Sequence, residues 1–167
     1  MLDLNTILLK SVVDATNRGL EMTGVKAQPV GASRLLSGIH GVSAIVGFAG
    51  QNSGSMTLNL TEPAALFLGS RFLDEENTTL TETCLDAIME IGNIIAGSHK
   101  EFLGGSEFHV AAISLPSLIY GESFTTVYAR GITTVQVEFE LPELTVSRMQ
   151  DRIFRSSISI LRSSGRG

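Results

Sequence analysis

Between Leu80 and Leu103 apolar residues recur every three or four positions, and Gly104-Gly105 then ends the run. A periodic stretch of that length specifies one long amphipathic helix whose apolar face must be covered by another layer. The rest of the chain can supply that layer, because much of it repeats with a period of two. Val42, Ala44, Val46 and Phe48 alternate, Gly50-Gln51-Asn52-Ser53-Gly54 turns the chain, and Met56, Leu58 and Leu60 alternate again. That is a hairpin with one apolar face. Farther on, Val135, Val137, Phe139 and Leu141 alternate with Gln136, Glu138 and Glu140. Phe108–Leu115 and Phe124–Ala129 read as further strands, the second joined through Arg130-Gly131 to a strand over Ile132–Leu141. Two more helices are expected. The first runs from Leu4 to about Met22 and stops at Gly24. The other starts at Thr61-Glu62-Pro63, with threonine as N-cap and proline in the first turn, and ends near Phe72. The elements together predict an α+β fold, a two-layer α/β sandwich with long helices packed on a largely antiparallel sheet.

The 167 residues suffice for one domain with a sizeable core. We read residues 1–142 as that domain and 143–167 as a basic amphipathic C-terminal helix or tail. Arg148, Arg152, Arg155, Arg162 and Arg166 give the last twenty residues a net charge of +4, which leaves −9 on the remainder of a chain of net charge −5. An acidic body argues against a nucleic-acid groove, which needs clustered cations. On a helical wheel Val146, Met149, Ile153, Phe154, Ile160 and Leu161 of the tail share one side, with Ser157 interrupting it. Such a helix is expected to dock on its own domain or on a dimer mate, contact with an anionic membrane surface being the less favoured use. No apolar run reaches the roughly 18 residues that span a bilayer. The N-terminus lacks the basic start and apolar core of a signal peptide, and a single cysteine, Cys84, fits a reducing compartment. The expected location is the cytoplasm.

The outer face of the long helix carries the most specific signal. Asp86, Glu90 and Asn93 are spaced i, i+4, i+7 and fall within about 60° of one another on a wheel of roughly 100° per residue. Cys84, Leu85, Ile88, Ile91, Gly92, Ile95, His99 and Phe102 collect on the opposite side. Charge alone on such a face is ordinary for a solvated helix. Asn93 is less ordinary, because asparagine is a poor interior helix former, and Gly97 follows it one turn later on the same face. Two unfavourable helix residues on one exposed stripe point to close approach by a partner.

Asp86-xxx-Glu90-xx-Asn93, followed after twenty-two residues by Pro116, matches the active-site signature of the CheC/CheX/FliY phosphatases, and the chain resembles that family over about residues 2–142. The Gly92-Asn93-Ile94-Ile95-Ala96-Gly97 run and the upstream hairpin from Val46 to Leu58 are similar as well. Only one copy of the signature is present. In the first helix Lys10 and Asp14 precede Asn17 at the matching positions, and His40 stands where the proline would be, so the chain resembles the one-site CheX-like members.

The resemblance implies a phosphatase acting on the aspartyl phosphate of a CheY-like response-regulator receiver domain. By resemblance Asn93 orients the attacking water, Glu90 pairs with the receiver's active-site lysine, Asp86 supports the contact at the rim, and Pro116 is structural. A carboxamide suits the water-positioning role because it donates and accepts hydrogen bonds while staying neutral, whereas a carboxylate would repel phosphoryl oxygens. No metal ligand or cofactor is expected from this chain, since the Mg2+ of the reaction belongs to the receiver. CheX-like relatives dimerise by continuing the sheet across subunits, so a homodimer is expected, with Ile132–Leu141 as the available edge. The rival reading is a non-catalytic receiver-binding or flagellar-switch module that keeps the helix face for docking.

The remaining candidates read as structural. His40, His99 and His109 lack metal-ligand spacing, and His99 and Cys84 lie on the core side of the long helix. Gly47, Gly50 and Gly54 form no phosphate-binding pattern and belong to the hairpin.

Overall fold

The structure is a computed structural model describing residues 3–36, 41–121 and 129–163. Three helices cover one face of a seven-stranded antiparallel sheet, the two-layer α+β class expected, though with a different number of elements. Helix α1 spans Thr6–Leu20, and the Asn5 side chain caps it by accepting from the Leu8 amide at 3.0 Å. A 3-10 turn at Glu21–Thr23 ends on Gly24, whose φ of 68° lies in the left-handed region. Strands β1 (Gln28–Ser33), β2 (Gly41–Ala49) and β3 (Ser53–Leu60) follow. Helix α2 (Glu62–Leu73) begins under Thr61, whose hydroxyl accepts from the Ala64 amide and donates to the Asp151 carbonyl. Helix α3 (Glu82–Phe102) is capped in the same way by Thr81. Strands β4 (Ala112–Ile113), β5 (Ser117–Gly121), β6 (Ile132–Glu140) and β7 (Ile153–Leu161) complete the sheet.

The strand order is β1-β6-β7-β3-β2-β4, with β5 also paired to β2. The alternating residues expected to face inward do so: Val42, Ala44, Val46, Met56, Leu58, Leu60, Val135, Val137 and Phe139 are buried against the inner faces of α1, α2 and α3. The hairpin pairs Val42 with Leu60 and Phe48 with Gly54.

The C-terminal region departs from the helix expected of it. Residues 143–167 contain no helical tail among the described residues; Met149–Arg152 make a 3-10 turn, and Ile153–Leu161 form β7 in the middle of the sheet. Phe154, Ser156, Ile158 and Ile160 point to the helix layer, where Phe154 stacks on Phe139 with ring centroids 5.2 Å apart. A central strand is buried on both faces, so its reverse side loses the polar contrast that period analysis needs. Small hydroxyls occupy buried positions on both sides: toward the helices Ser156 accepts from Thr16 at 2.8 Å, and on the reverse side Ser159 shares a hydrogen bond with Thr134 at 2.9 Å. Three of the tail's basic residues are paired locally: Arg152 with Glu140, Arg155 with Glu138 and Arg162 with Glu107.

Two smaller expectations also change. Strand β6 is paired to β7 along its length and also to β1 over Gln136–Glu140, so that part of Ile132–Leu141 is not an edge on which a second subunit could extend the sheet. The strand expected over Phe108–Leu115 shrinks to Ala112–Ile113, because Ser106–Phe108 turn the chain and Asn52 binds the Glu107 and His109 carbonyls. The strand expected over Phe124–Ala129, apart from Ala129, lies outside the described residues, as does His40. Strands β1 and β5 have no counterpart in the period analysis. In β1 the sequence Gln28-Pro29-Val30-Gly31 offers no alternation, and Pro29 is tolerated because the strand lies at an edge.

Candidate active site on the long helix

Helix α3 is fixed from three directions, and that is what makes its free face rigid. Cys84, Ile88, Ile91, Ile95 and His99 are fully buried. Gly92 lies so close to β2 that a Cβ there would sit 3.1 Å from the Ala44 Cβ. A Cβ on Gly69 of α2 would come within 2.5 Å of the Cys84 Sγ, and one on Gly19 of α1 would collide with the Ile95 side chain. Burial raises the Cys84 thiol pKa, and the side chain behaves as a small core residue, as expected.

His99 is also a core residue. Its Nδ1 is 2.7 Å from the Ser11 Oγ, its ring meets Phe48 edge-on, and its Nε2 is buried without a partner. Burial lowers its pKa to about 3, so the imidazole is neutral and ties α3 to α1. Among the described residues no cluster of three His, Cys, Asp or Glu side chains could hold a metal ion.

The outward stripe holds Asp86 and Glu90, both exposed, and Asn93, half-buried where the helix leans toward the sheet edge. Among the described residues no hydrogen bond or ion pair engages any of the three side chains. Farther along the same helix Glu101 is held by Arg18 at 2.6 Å. Carboxylates with a structural use in this helix pair are therefore paired, whereas Asp86 and Glu90 are available. The comparable positions on α1 are not available: Lys10 and Asp14 form an ion pair with each other, leaving Asn17 alone. The structure thus displays one open acid-and-amide row.

Pro116 lies apart from that row in sequence, in the connection between β4 and β5 on the outer edge of β2. It is half-buried, and α3 touches both flanking strands. Having no N–H, it makes no ladder hydrogen bond at that point. The residue before it, Leu115, is 88% exposed, a feature that sequence reasoning missed because alternation does not reveal how a short edge strand is kinked. His109 sits elsewhere, in a polar cavity of about 520 Å³ lined by Asn52, Ser106, Arg162 and neighbours, and does not join the row.

Helix-on-sheet domains of this kind recur among solved chemotaxis proteins. The chain belongs to the CheX family: the family model for the chemotaxis phosphatase CheX matches residues 42–140. The CheX–CheY–BeF3–Mg2+ complex from Borrelia burgdorferi is similar at 27% identity and a TM-score of 0.73, covering 96% of this chain and 99% of that one. Chemotaxis protein CheX from Vibrio vulnificus shares the fold at 23% identity and a TM-score of 0.72, covering 92% and 97%. The FliM middle domain from H. pylori shares the fold more distantly, at 11% identity and a TM-score of 0.58 over 94% and 87%. No curated protein matches the chain in sequence.

Proposed function

We propose that this protein hydrolyses the aspartyl phosphate of a CheY-like receiver domain, with α3 as the catalytic element. The single observation that carries the reading is the Asp86, Glu90 and Asn93 row, without internal partners among the described residues, on a helix whose other face is locked in the core. Family membership and the receiver bound in the Borrelia complex support it.

In this mechanism the carboxamide of Asn93 holds a water in line with the bond from phosphorus to the receiver's aspartate. The water oxygen attacks phosphorus as the aspartate carboxylate leaves, and its proton passes to the departing phosphate or to solvent. The products are inorganic phosphate and the unmodified receiver. Positioning of the nucleophile supplies the rate gain, since the receiver's own Mg2+ and lysine neutralise the phosphoryl oxygens. Glu90, three residues before Asn93 on the same face, pairs with that lysine and sets the register of the docked helix. Asp86 adds a polar contact at the rim.

The test is the decay of a phosphorylated receiver with and without the protein. Accelerated decay supports hydrolysis; unchanged decay with retained binding favours the non-catalytic receiver-binding or flagellar-switch module. Light scattering at micromolar concentration tests the homodimer implied by the family, for which β1 and the β4 and β5 side offer edges. A cytoplasmic site of action fits a receiver partner, and no helix among the described residues is long and apolar enough to cross a membrane.

A further inference from the structure

The helices contain four described glycines, and packing accounts for three of them. Gly19, Gly69 and Gly92 each face a neighbour that a Cβ would crowd, whereas a Cβ on Gly97 would meet nothing within 4 Å. A glycine in a helix interior costs stability relative to alanine, and among the described residues nothing requires that cost at Gly97. The residue is one turn beyond Asn93 on the same outward stripe.

A second irregularity lies beside it. Phe48 pairs with Ile113 and Ile45 with Ser117, so the outer strand spends one residue more than β2 between those two pairings. Ser114 still bonds to Gly47, its amide donating to the carbonyl and its hydroxyl accepting from the amide, which leaves Leu115 and Pro116 together opposite Val46. That is a β-bulge, a device that re-aims a side chain, and here it turns Leu115 out to 88% exposure. Because Gly92 lies on Ala44 and His99 meets Phe48, the α3 segment between them passes alongside Val46. Gly97 and the bulge are therefore at the same level, on neighbouring elements.

We propose that Gly97 and Leu115 form the docking notch for the receiver domain, with Gly97 as an open floor for partner backbone and Leu115 as its apolar bank. The proposal rests on the phosphatase reading and names where the partner seats. The occupant is the receiver because the notch continues the Glu90 and Asn93 row. A receiver presents its active site from loops at the carboxyl ends of a parallel sheet, so main chain is what arrives at α3.

The experiment uses a CheY-like receiver phosphorylated with acetyl phosphate and dephosphorylated by the unmodified protein. Gly97→Ala should raise the melting temperature, because alanine improves the helix, while raising KM about tenfold with kcat little changed. A purely structural glycine could not give that opposite pairing of effects. Leu115→Ser should raise KM several-fold, and Leu115→Met should restore it. If the unmodified protein is active and both Gly97→Ala and Leu115→Ser leave KM unchanged, the notch is wrong and the phosphatase reading stands. If the unmodified protein neither binds nor dephosphorylates any CheY-like receiver, both fall together.

Discussion

The Ser11 hydroxyl lies 2.7 Å from Nδ1 of His99, joining α1 to α3 beneath the face that carries Asn93. On the far side of the ring Nε2 is buried with no partner among the described residues, so protonation would place a charge that none of them compensates.

This arrangement predicts acid sensitivity. His99 takes up a proton at about 3 when folded, against 6.5 for a free side chain, so below pH 6.5 the unfolded chain binds the extra proton. Its contribution to stability is complete above about 6.5 and is lost, at up to about 1.4 kcal/mol per pH unit, as pH falls toward 3. Denaturant titrations between pH 7 and 4.5 should show this slope in the wild type and lack it in His99→Gln. Equal slopes in the two proteins would remove His99 as the cause.

Asn93→Ala should lower kcat on the order of 10²-fold while KM and the circular dichroism spectrum stay nearly unchanged. The side chain is half-buried and engages no internal hydrogen bond among the described residues, so its loss touches the reaction before it touches the fold. Full activity in a well-folded Asn93→Ala protein would end the assignment of α3 as catalytic.

Glu90→Ala should weaken receiver binding as well as turnover, because an ion pair to the receiver's lysine acts before chemistry begins. Glu90→Gln should keep part of the hydrogen bonding and lose the charge, so its binding should fall between wild type and Glu90→Ala. Calorimetric titration against an activated receiver at two salt concentrations separates the terms: the wild-type advantage over Glu90→Gln should shrink as salt rises.

A chain ending at Pro142 should not fold. It would lack β7, leaving β3 and β6 with unpaired edges and stripping cover from Phe139, Met56 and Val135. Loss of a cooperative thermal transition is the expected readout. A cooperative transition near that of the full chain would contradict the central position of β7.

What was legible in the sequence followed from contrast between faces. The Asp86, Glu90 and Asn93 row could be read because α3 has a wet side and a dry side, and β2, β3 and β6 could be read because their inward residues alternate with polar ones. Strand β7 has no such contrast. Ser157 and Ser159 are buried on its reverse side, and the same residues scatter into a plausible amphipathic helix when placed on a wheel. The pairing of Arg155 with Glu138, and of Arg152 just before the strand with Glu140, was likewise invisible, since that partnership depends on the register between two strands and not on either one alone. Leu115 belongs to the same class: its exposure comes from one extra residue opposite Val46, which no count along a single strand can show.

The place of β7 between β3 and β6 also governs how the molecule can assemble. Residues 53–60 and 132–140 are never neighbours in the sheet; each must find residues 153–161, and β3 does so across most of the chain. Pairings of such sequence separation are slow to form, because a large loop must close before any contact rewards it. During synthesis β3 emerges well ahead of β7, and its open edge is liable to wrong pairings until that strand arrives. The step that completes the sheet is therefore late and non-local, and the platform on which α3 rests is finished only when it has occurred.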